Sequence, residues 1–171
     1  MKGAAPAAIY SIDTSSLMDW HGRFYPTDVF PSLAERVHDL VTASRLFAAE
    51  QVREEVDVVG TTGLREWVAA QKRFVVPNAT VLTAALSIKD RFTGLLDPKA
   101  TYEEADAYVI ALAQQHNGIV ITQETAAAEK RNPKRTHYIP DVCRELGIPC
   151  ISFLGLAAAK AGPSKVPKPF R

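Results

Sequence analysis

The sequence predicts an α/β fold with a mainly parallel central sheet. Short apolar runs rich in β-branched residues alternate with longer segments whose hydrophobic residues recur at helical spacing. The chain has 171 residues, 47% hydrophobic and 23% charged, which suits one folded domain with a sizeable core and excludes wholesale disorder. Strands separated by helices usually pair in parallel, with helices on both faces of the sheet. We therefore expect three layers, α/β/α, over residues 1–161, followed by a basic, proline-containing tail over 162–171.

The elements follow in order along the chain. Residues 8–12 form a β-prone run that stops at Asp13, and the carboxylate of Asp13 is suited to cap a following helix. Apolar residues at helical spacing then predict a helix over 30–41, and a short strand is predicted over 46–48. A helix over 49–56 comes next. The second half adds predicted helices over 64–73, 81–92, 101–115 and 139–146, strands over 119–122 and 149–153, and a loop or frayed helix over 125–137.

The net charge of +1 conceals a strong separation of charge along the chain. Residues 1–129 hold 11 basic and 17 acidic side chains, whereas residues 130–171 hold 9 basic and 2 acidic ones. This asymmetry predicts an acidic site beside an edge that binds a polyanion. The first residues resemble neither a signal peptide nor a membrane span, and two cysteines do not indicate a disulfide scaffold, so we expect a cytoplasmic protein.

Carboxylates follow two of the predicted strands. Asp13 comes directly after the first strand, and Glu124 closely follows the strand over 119–122. In open parallel sheets, ligands bind at the carboxyl ends of the strands. Asp106 and Glu55 border the apolar faces of their predicted helices, from which they can reach the same edge. Converging carboxylates need a cation, and Mg²⁺ or Mn²⁺ prefers such hard oxygen ligands. With 19 acidic residues, chance placement is the alternative, and Asp13 would then serve only as a helix cap.

At these positions the sequence resembles the PIN-domain nucleases. Residues 12–17 resemble the opening motif of that family, in which the aspartate binds metal. The family has three further acidic motifs. Similar segments occur in the same order in this chain, at residues 52–56, 105–113 and 119–124. The resemblance runs from about Ile9 to Phe153, and its last part is similar to the closing segment of an uncharacterised bacterial PIN-like subfamily.

The chain departs from the family pattern at two positions and is ambiguous at a third. Many PIN domains have Asn where this chain has Ser15, and Asp where it has Glu124. The second motif can be aligned on Glu54 or on Glu55. We prefer Glu55 because it directly precedes the apolar Val56, as in the family pattern.

The resemblance implies a ribonuclease that uses Mg²⁺ or Mn²⁺ to activate water, often as the VapC-type toxin of a toxin–antitoxin pair. It implies Asp13, Asp106 and Glu124 as metal ligands, and Glu55 as a ligand or an orienting group. The hydroxyls of Thr14 and Thr122 are expected to support these carboxylates or to contact phosphate. RNA, a cognate antitoxin and a second copy of the chain are the expected partners. A catalytically inactive PIN-like module that binds protein is the alternative.

Four basic residues follow Glu124 and form a candidate phosphate-binding segment: Lys130, Arg131, Lys134 and Arg135. They can bind RNA phosphates beside the acidic site, or they can form an ordinary solvated loop. Two other enzyme or signalling classes fit less well. A haloacid-dehalogenase-like phosphatase needs a second aspartate where this chain has Ser15, and a phosphoacceptor receiver domain needs an acidic pair near the first strand.

Overall fold

The structure, a computed structural model, describes residues 6–159. At its centre is an all-parallel sheet of five strands: β1 (Tyr10–Ile12), β2 (Leu46–Ala49), β3 (Val75–Val76), β4 (Ile119–Ile121) and β5 (Cys150–Ile151). The strand order across the sheet is β3-β2-β1-β4-β5. Helices flank this sheet, so the predicted α/β fold and its parallel sheet are confirmed. The predicted tail over 162–171 lies outside the described residues.

The described part of the chain contains eight α-helices. They are α1 (Thr14–Met18), α2 (Pro31–Thr42), α3 (Glu50–Val59), α4 (Thr62–Ala70), α5 (Asn78–Arg91), α6 (Asp106–Gln115), α7 (Ile139–Leu146) and α8 (Phe153–Ala158). A π-helical turn over Asp19–Arg23 and 3₁₀ turns over Thr93–Leu95 and Ala127–Glu129 complete them. Within residues 6–159, none of these helices has the length and apolar character needed to cross a membrane.

The strands β1 and β4 are neighbours at the point where the order of the sheet reverses. In their parallel register Tyr10 lies beside Ile119 and Ile12 beside Ile121. The backbone N–H of Asp13 donates to the carbonyl of Ile121 at 3.0 Å, which extends the pairing by one residue. The segments that leave these two strands therefore diverge and open a crevice, which is the usual binding position in a sheet of this kind.

Helix α6 is the central helix of the core. All of its residues from Ala107 to Ala113 are buried, because the helix packs against α5 as well as against the sheet. A helix that is apolar on every side has to lie inside the protein. Its polar N-terminal residue, Asp106, consequently emerges at the carboxyl edge of the sheet.

Several elements differ from the sequence-based expectations. Helix α6 begins at Asp106 rather than at residue 101, because side chains bind the preceding backbone: the N–H of Ala105 donates to Glu55 and that of Asp97 to Glu104. The last strand ends at Ile151, because Ser152 caps α8 by accepting from the N–H of Gly155. The two-residue strand β3 was not predicted, since so short a run has no periodicity.

Candidate active site

Five carboxylates line one cavity of about 260 Å³ at the carboxyl edge of the sheet. Four of them are the predicted residues Asp13, Glu55, Asp106 and Glu124. The fifth, Glu104, was missed in the sequence because it lies outside the matched motifs. The structure thus brings together all the acidic residues that the sequence singled out, although they are spread over more than a hundred positions.

Asp13 is fixed by the turn that follows β1. It is the N-cap of α1, and its Oδ1 accepts from the N–H of Ser16 at 2.9 Å. The hydroxyl of Ser15 donates to both carboxylate oxygens at 2.9 Å, and that of Thr122 donates to Oδ2 at 2.7 Å. The helix-cap alternative and the active-site prediction therefore do not exclude each other, because the same carboxylate caps α1 and lines the cavity. Only 5% of Asp13 is exposed.

Glu55, rather than Glu54, faces the cavity. Glu54 is exposed on the outer side of α3, whereas Glu55 is buried. The carboxylate of Glu55 accepts from the hydroxyl of Thr14, and also from the N–H of Ala105 at 2.9 Å. These contacts tie Glu55 to the beginning of α1 on one side and to the beginning of α6 on the other. Thr14 and Thr122 thus hold carboxylates, which is one of the two roles expected for them.

Asp106 and Glu124 share a single basic partner, Arg135. The Nη1 of Arg135 lies 3.0 Å from Oδ2 of Asp106, and its Nη2 lies 3.1 Å from Oε1 of Glu124. Its Nη1 also lies 3.3 Å from Oε1 of Glu104. The other oxygen of Glu124 accepts from the N–H of Ile139 at 3.1 Å, at the beginning of α7. The guanidinium therefore sits among three of the five carboxylates.

The basic segment 130–135 divides into an inner and an outer part. Arg135 points into the cavity, and its side chain is only 12% exposed. Arg131 and Lys134 are exposed, and the ammonium of Lys130 lies 4.2 Å from the centre of the Tyr138 ring. The sequence predicted phosphate binding for all four residues. The structure places Arg135 with the carboxylates, and the other three lie outside the cavity.

Tyr138 and Asp141 organise this segment, although the motifs gave neither a role in it. The Tyr138 ring lies 4.6 Å from the Arg135 guanidinium, and its hydroxyl accepts from the N–H of Lys134 at 3.1 Å. The buried carboxylate of Asp141 accepts from the N–H groups of Ala127 and Tyr138, both at 2.9 Å. Residues on either side of the segment are thereby fixed to the beginning of α7.

Three carboxylates of the cavity, those of Asp13, Glu55 and Asp106, have raised pKa values. Burial raises the pKa of Asp13 to about 6, and the nearby Glu124 adds to this shift. Burial also raises the pKa of Glu55, with Glu104 and Glu124 contributing. The pKa of Asp106 is raised well above its usual range by burial and by Glu124, even though Arg135 acts in the opposite direction. Burial is the main cause of all three shifts, and the neighbouring carboxylates add to it because like charges disfavour ionisation.

The chemistry of these side chains fits a hard divalent cation, whereas their arrangement around Arg135 is not that of a ready metal site. Buried carboxylate oxygens are the ligands that Mg²⁺ and Mn²⁺ prefer. Among residues 6–159, however, no three acidic, histidine or cysteine side chains are grouped so that they could hold a metal ion. In this arrangement the guanidinium of Arg135 contacts one oxygen of Asp106 and one of Glu124.

Comparison with known proteins identifies the family of the chain. No curated protein matches the sequence significantly. Residues 10–161 match the family model described as a domain of unknown function, DUF4411. The matched segment contains all five strands and all five carboxylates of the cavity. The chain therefore belongs to the DUF4411 family.

Proposed function

We propose that this chain is a divalent-metal-dependent ribonuclease of the PIN-like type. The observation that supports the proposal best is the convergence of Asp13, Glu55, Asp106 and Glu124 on one cavity. The cavity lies where the order of a parallel sheet reverses, which is the usual position of a binding site in this architecture. The same four residues carry the resemblance to the PIN-domain nucleases.

Charge balance supports a metal ion in particular. Five carboxylates line the cavity, and Arg135 is the basic residue that bridges three of them. The only other basic residue lining the cavity in the described chain is Arg23, which is largely exposed and lies near Asp19. Burial, with help from neighbouring carboxylates, raises the pKa values of three of the five, so these groups ionise less readily without a further cation. A divalent cation supplies the positive charge that favours their ionisation.

In the proposed enzyme, Asp13, Asp106 and Glu124 hold the metal. Mg²⁺ or Mn²⁺, when bound, lowers the pKa of a water molecule and stabilises the charge that develops on the phosphodiester. The hydroxyls of Ser15 and Thr122 orient Asp13, as hydrogen-bonded neighbours commonly orient metal ligands. Glu55 is held by Thr14 and by the Ala105 N–H, and it either binds the metal or orients the attacking water.

The proposed substrate is RNA, and the expected partners follow from the resemblance. Lys130, Arg131 and Lys134 belong to the same segment as Arg135, which lines the cavity, and we propose that they neutralise phosphates on either side of the cleaved bond. A cognate antitoxin and a second copy of the chain complete the proposed assembly. Pull-down of the tagged protein and a measurement of its mass in solution test these two partners.

One observation favours a second candidate function, that of a catalytically inactive PIN-like module that binds protein. The guanidinium of Arg135 pairs with two of the proposed metal ligands, Asp106 and Glu124. An internal counter-ion of this kind can stabilise an acidic pocket that has lost its metal. In that case the purified protein would bind neither Mn²⁺ nor Mg²⁺.

A cleavage assay separates the two candidates. We expect the purified chain to cleave single-stranded RNA with Mg²⁺ or Mn²⁺, and to lose this activity in EDTA or after Asp13→Asn. Glu55→Gln and Glu54→Gln form a matched pair, because the two residues are adjacent and only Glu55 lines the cavity. Glu55→Gln should reduce cleavage strongly, and Glu54→Gln should leave it unchanged. Cleavage that persists in EDTA, or in Asp13→Asn, would disprove the proposed mechanism.

A further inference from the structure

The position of Arg135 has a consequence for metal binding. Its guanidinium makes contacts of 3.0, 3.1 and 3.3 Å with Asp106, Glu124 and Glu104. Its Nη1 also donates to the carbonyl of Leu95 at 2.7 Å. Within the described segment 130–135, no other basic side chain forms an ion pair with a carboxylate. Arg135 is thus the internal counter-ion of the acidic cavity.

A guanidinium and a metal ion compete for Oδ2 of Asp106 and Oε1 of Glu124. The oxygens that bind Mg²⁺ lie about 2.1 Å from one ion and therefore about 3 Å from their neighbours in the octahedron. Arg135 instead uses separate nitrogens for Asp106 and Glu124, so it lies between the two carboxylates. A cation entering the same space would also meet the positive charge of the guanidinium at short range.

We propose that Arg135 closes the acidic site, and that a divalent cation binds there only when this guanidinium withdraws from Asp106 and Glu124. The inference rests on the proposed function, since it concerns the same ligands. It makes Arg135 a competitor of the metal rather than a simple surface contact for phosphate.

The surroundings of Arg135 permit such a withdrawal without loss of the fold. The residues before it, Arg131 to Lys134, are exposed and belong to neither a helix nor a strand. Asp141 holds the segment at Ala127 and Tyr138, on either side of Arg135, so the ends stay in place when the side chain moves. Once withdrawn, the guanidinium lies beside the cavity, where an RNA phosphate can replace its carboxylate partners.

Calorimetric titration with Mn²⁺ tests the competition directly. The proteins to compare are the wild type, Arg135→Ala and the matched control Lys134→Ala, whose side chain is exposed. The titrations are made at about pH 8, so that protons compete less for the carboxylates. We expect Arg135→Ala to bind Mn²⁺ roughly tenfold to a hundredfold more tightly than the wild type, because charged hydrogen bonds no longer compete. Lys134→Ala should bind as the wild type does.

A second measurement uses the unaltered protein, so it does not depend on the folding of a variant. In an NMR titration with Mg²⁺, the side-chain resonances of Arg135 should shift as the metal binds, and those of the exposed Arg53 should not. Equal Mn²⁺ affinity of the wild type and Arg135→Ala, or unmoved Arg135 resonances at saturating Mg²⁺, would overturn the inference while leaving the proposed nuclease intact. Absence of Mn²⁺ binding to every variant would overturn the proposed nuclease as well.

Discussion

Replacing Asp13 by asparagine should make the metal-free protein more stable at neutral pH while abolishing its proposed activity. The carboxyl group of Asp13 has a pKa of about 6 in the folded protein, against an ordinary value of 3.8. Between these two values the folded chain holds a proton that the unfolded chain has released, so the free energy of unfolding falls as the pH rises. A shift of this size corresponds to about 3 kcal/mol, which the wild type loses by about pH 7.

Asparagine does not ionise, so the variant avoids this loss of folding stability, and it keeps the local structure. Its carbonyl oxygen can accept from the N–H of Ser16, and asparagine is as good a helix cap as aspartate. The hydroxyls of Ser15 and Thr122 can turn to accept from its amide. Neutralising position 13 also removes a charge that raises the pKa of Asp106. The variant should therefore gain about 3 kcal/mol or more in free energy of unfolding over the wild type at neutral pH.

Urea denaturation in EDTA, followed by circular dichroism at a series of pH values, measures this effect. The stability of Asp13→Asn relative to the wild type should increase from about pH 4 to about pH 7. The exposed Asp28→Asn serves as the control, and its pH profile should coincide with that of the wild type. Added Mg²⁺ should then stabilise the wild type and leave Asp13→Asn unchanged. Parallel pH profiles of Asp13→Asn and the wild type would refute the reasoning.

Three further predictions follow from the contacts around the cavity. Thr122→Val removes the hydrogen bond from the hydroxyl to Asp13 and should lower the cleavage rate about tenfold to a hundredfold, as loss of a group that orients a metal ligand commonly does. Thr125→Val, at an exposed position, should leave the rate unchanged. Equal cleavage rates of the two variants would contradict the orienting role of Thr122. Asp141→Ala leaves the buried N–H of Tyr138 and the partly buried N–H of Ala127 without their acceptor, and it should lower the free energy of unfolding by about 2 kcal/mol. An unchanged urea midpoint would contradict the anchoring of the segment. Alanine at the three outer basic positions should weaken RNA binding and reduce its salt dependence, so that the slope of log affinity against log salt falls by about two. An unchanged slope in filter-binding assays would show that these basic residues form only a solvated loop. These positions are Lys130, Arg131 and Lys134.

The acidic half of the site could be predicted because its residues are placed by local features of the sequence. Asp13 and Glu124 follow short apolar runs that contain β-branched residues and therefore favour strands, and parallel strands end at one edge. Glu55 was preferred over Glu54 because it directly precedes the apolar Val56, as in the PIN-domain pattern, and the structure buries Glu55. In each case the element next to the residue, or the one that contains it, places it at this edge of the sheet.

The basic half could not be predicted in the same way. Arg135 lies in a segment without periodicity, and its contacts to Asp106 and Leu95 span 29 and 40 positions of sequence. Such pairings depend on where the fold brings a loop, which neither composition nor spacing reveals. Glu104 was missed because it lies just outside the matched motif, and its contact with Arg135 spans 31 positions of sequence.

The separation of charge along the chain acquires a structural meaning at this site. The acidic part of the sequence supplies the five carboxylates of the cavity, and the basic part begins with the segment that folds back over them. One of its charges, on Arg135, neutralises the cavity from within, while those of Arg131 and Lys134 remain outside. If metal binding releases Arg135, the same event that adds positive charge to the cavity also frees a guanidinium for phosphate. Metal and RNA should then bind cooperatively, since each replaces one partner of a single ion-pair network.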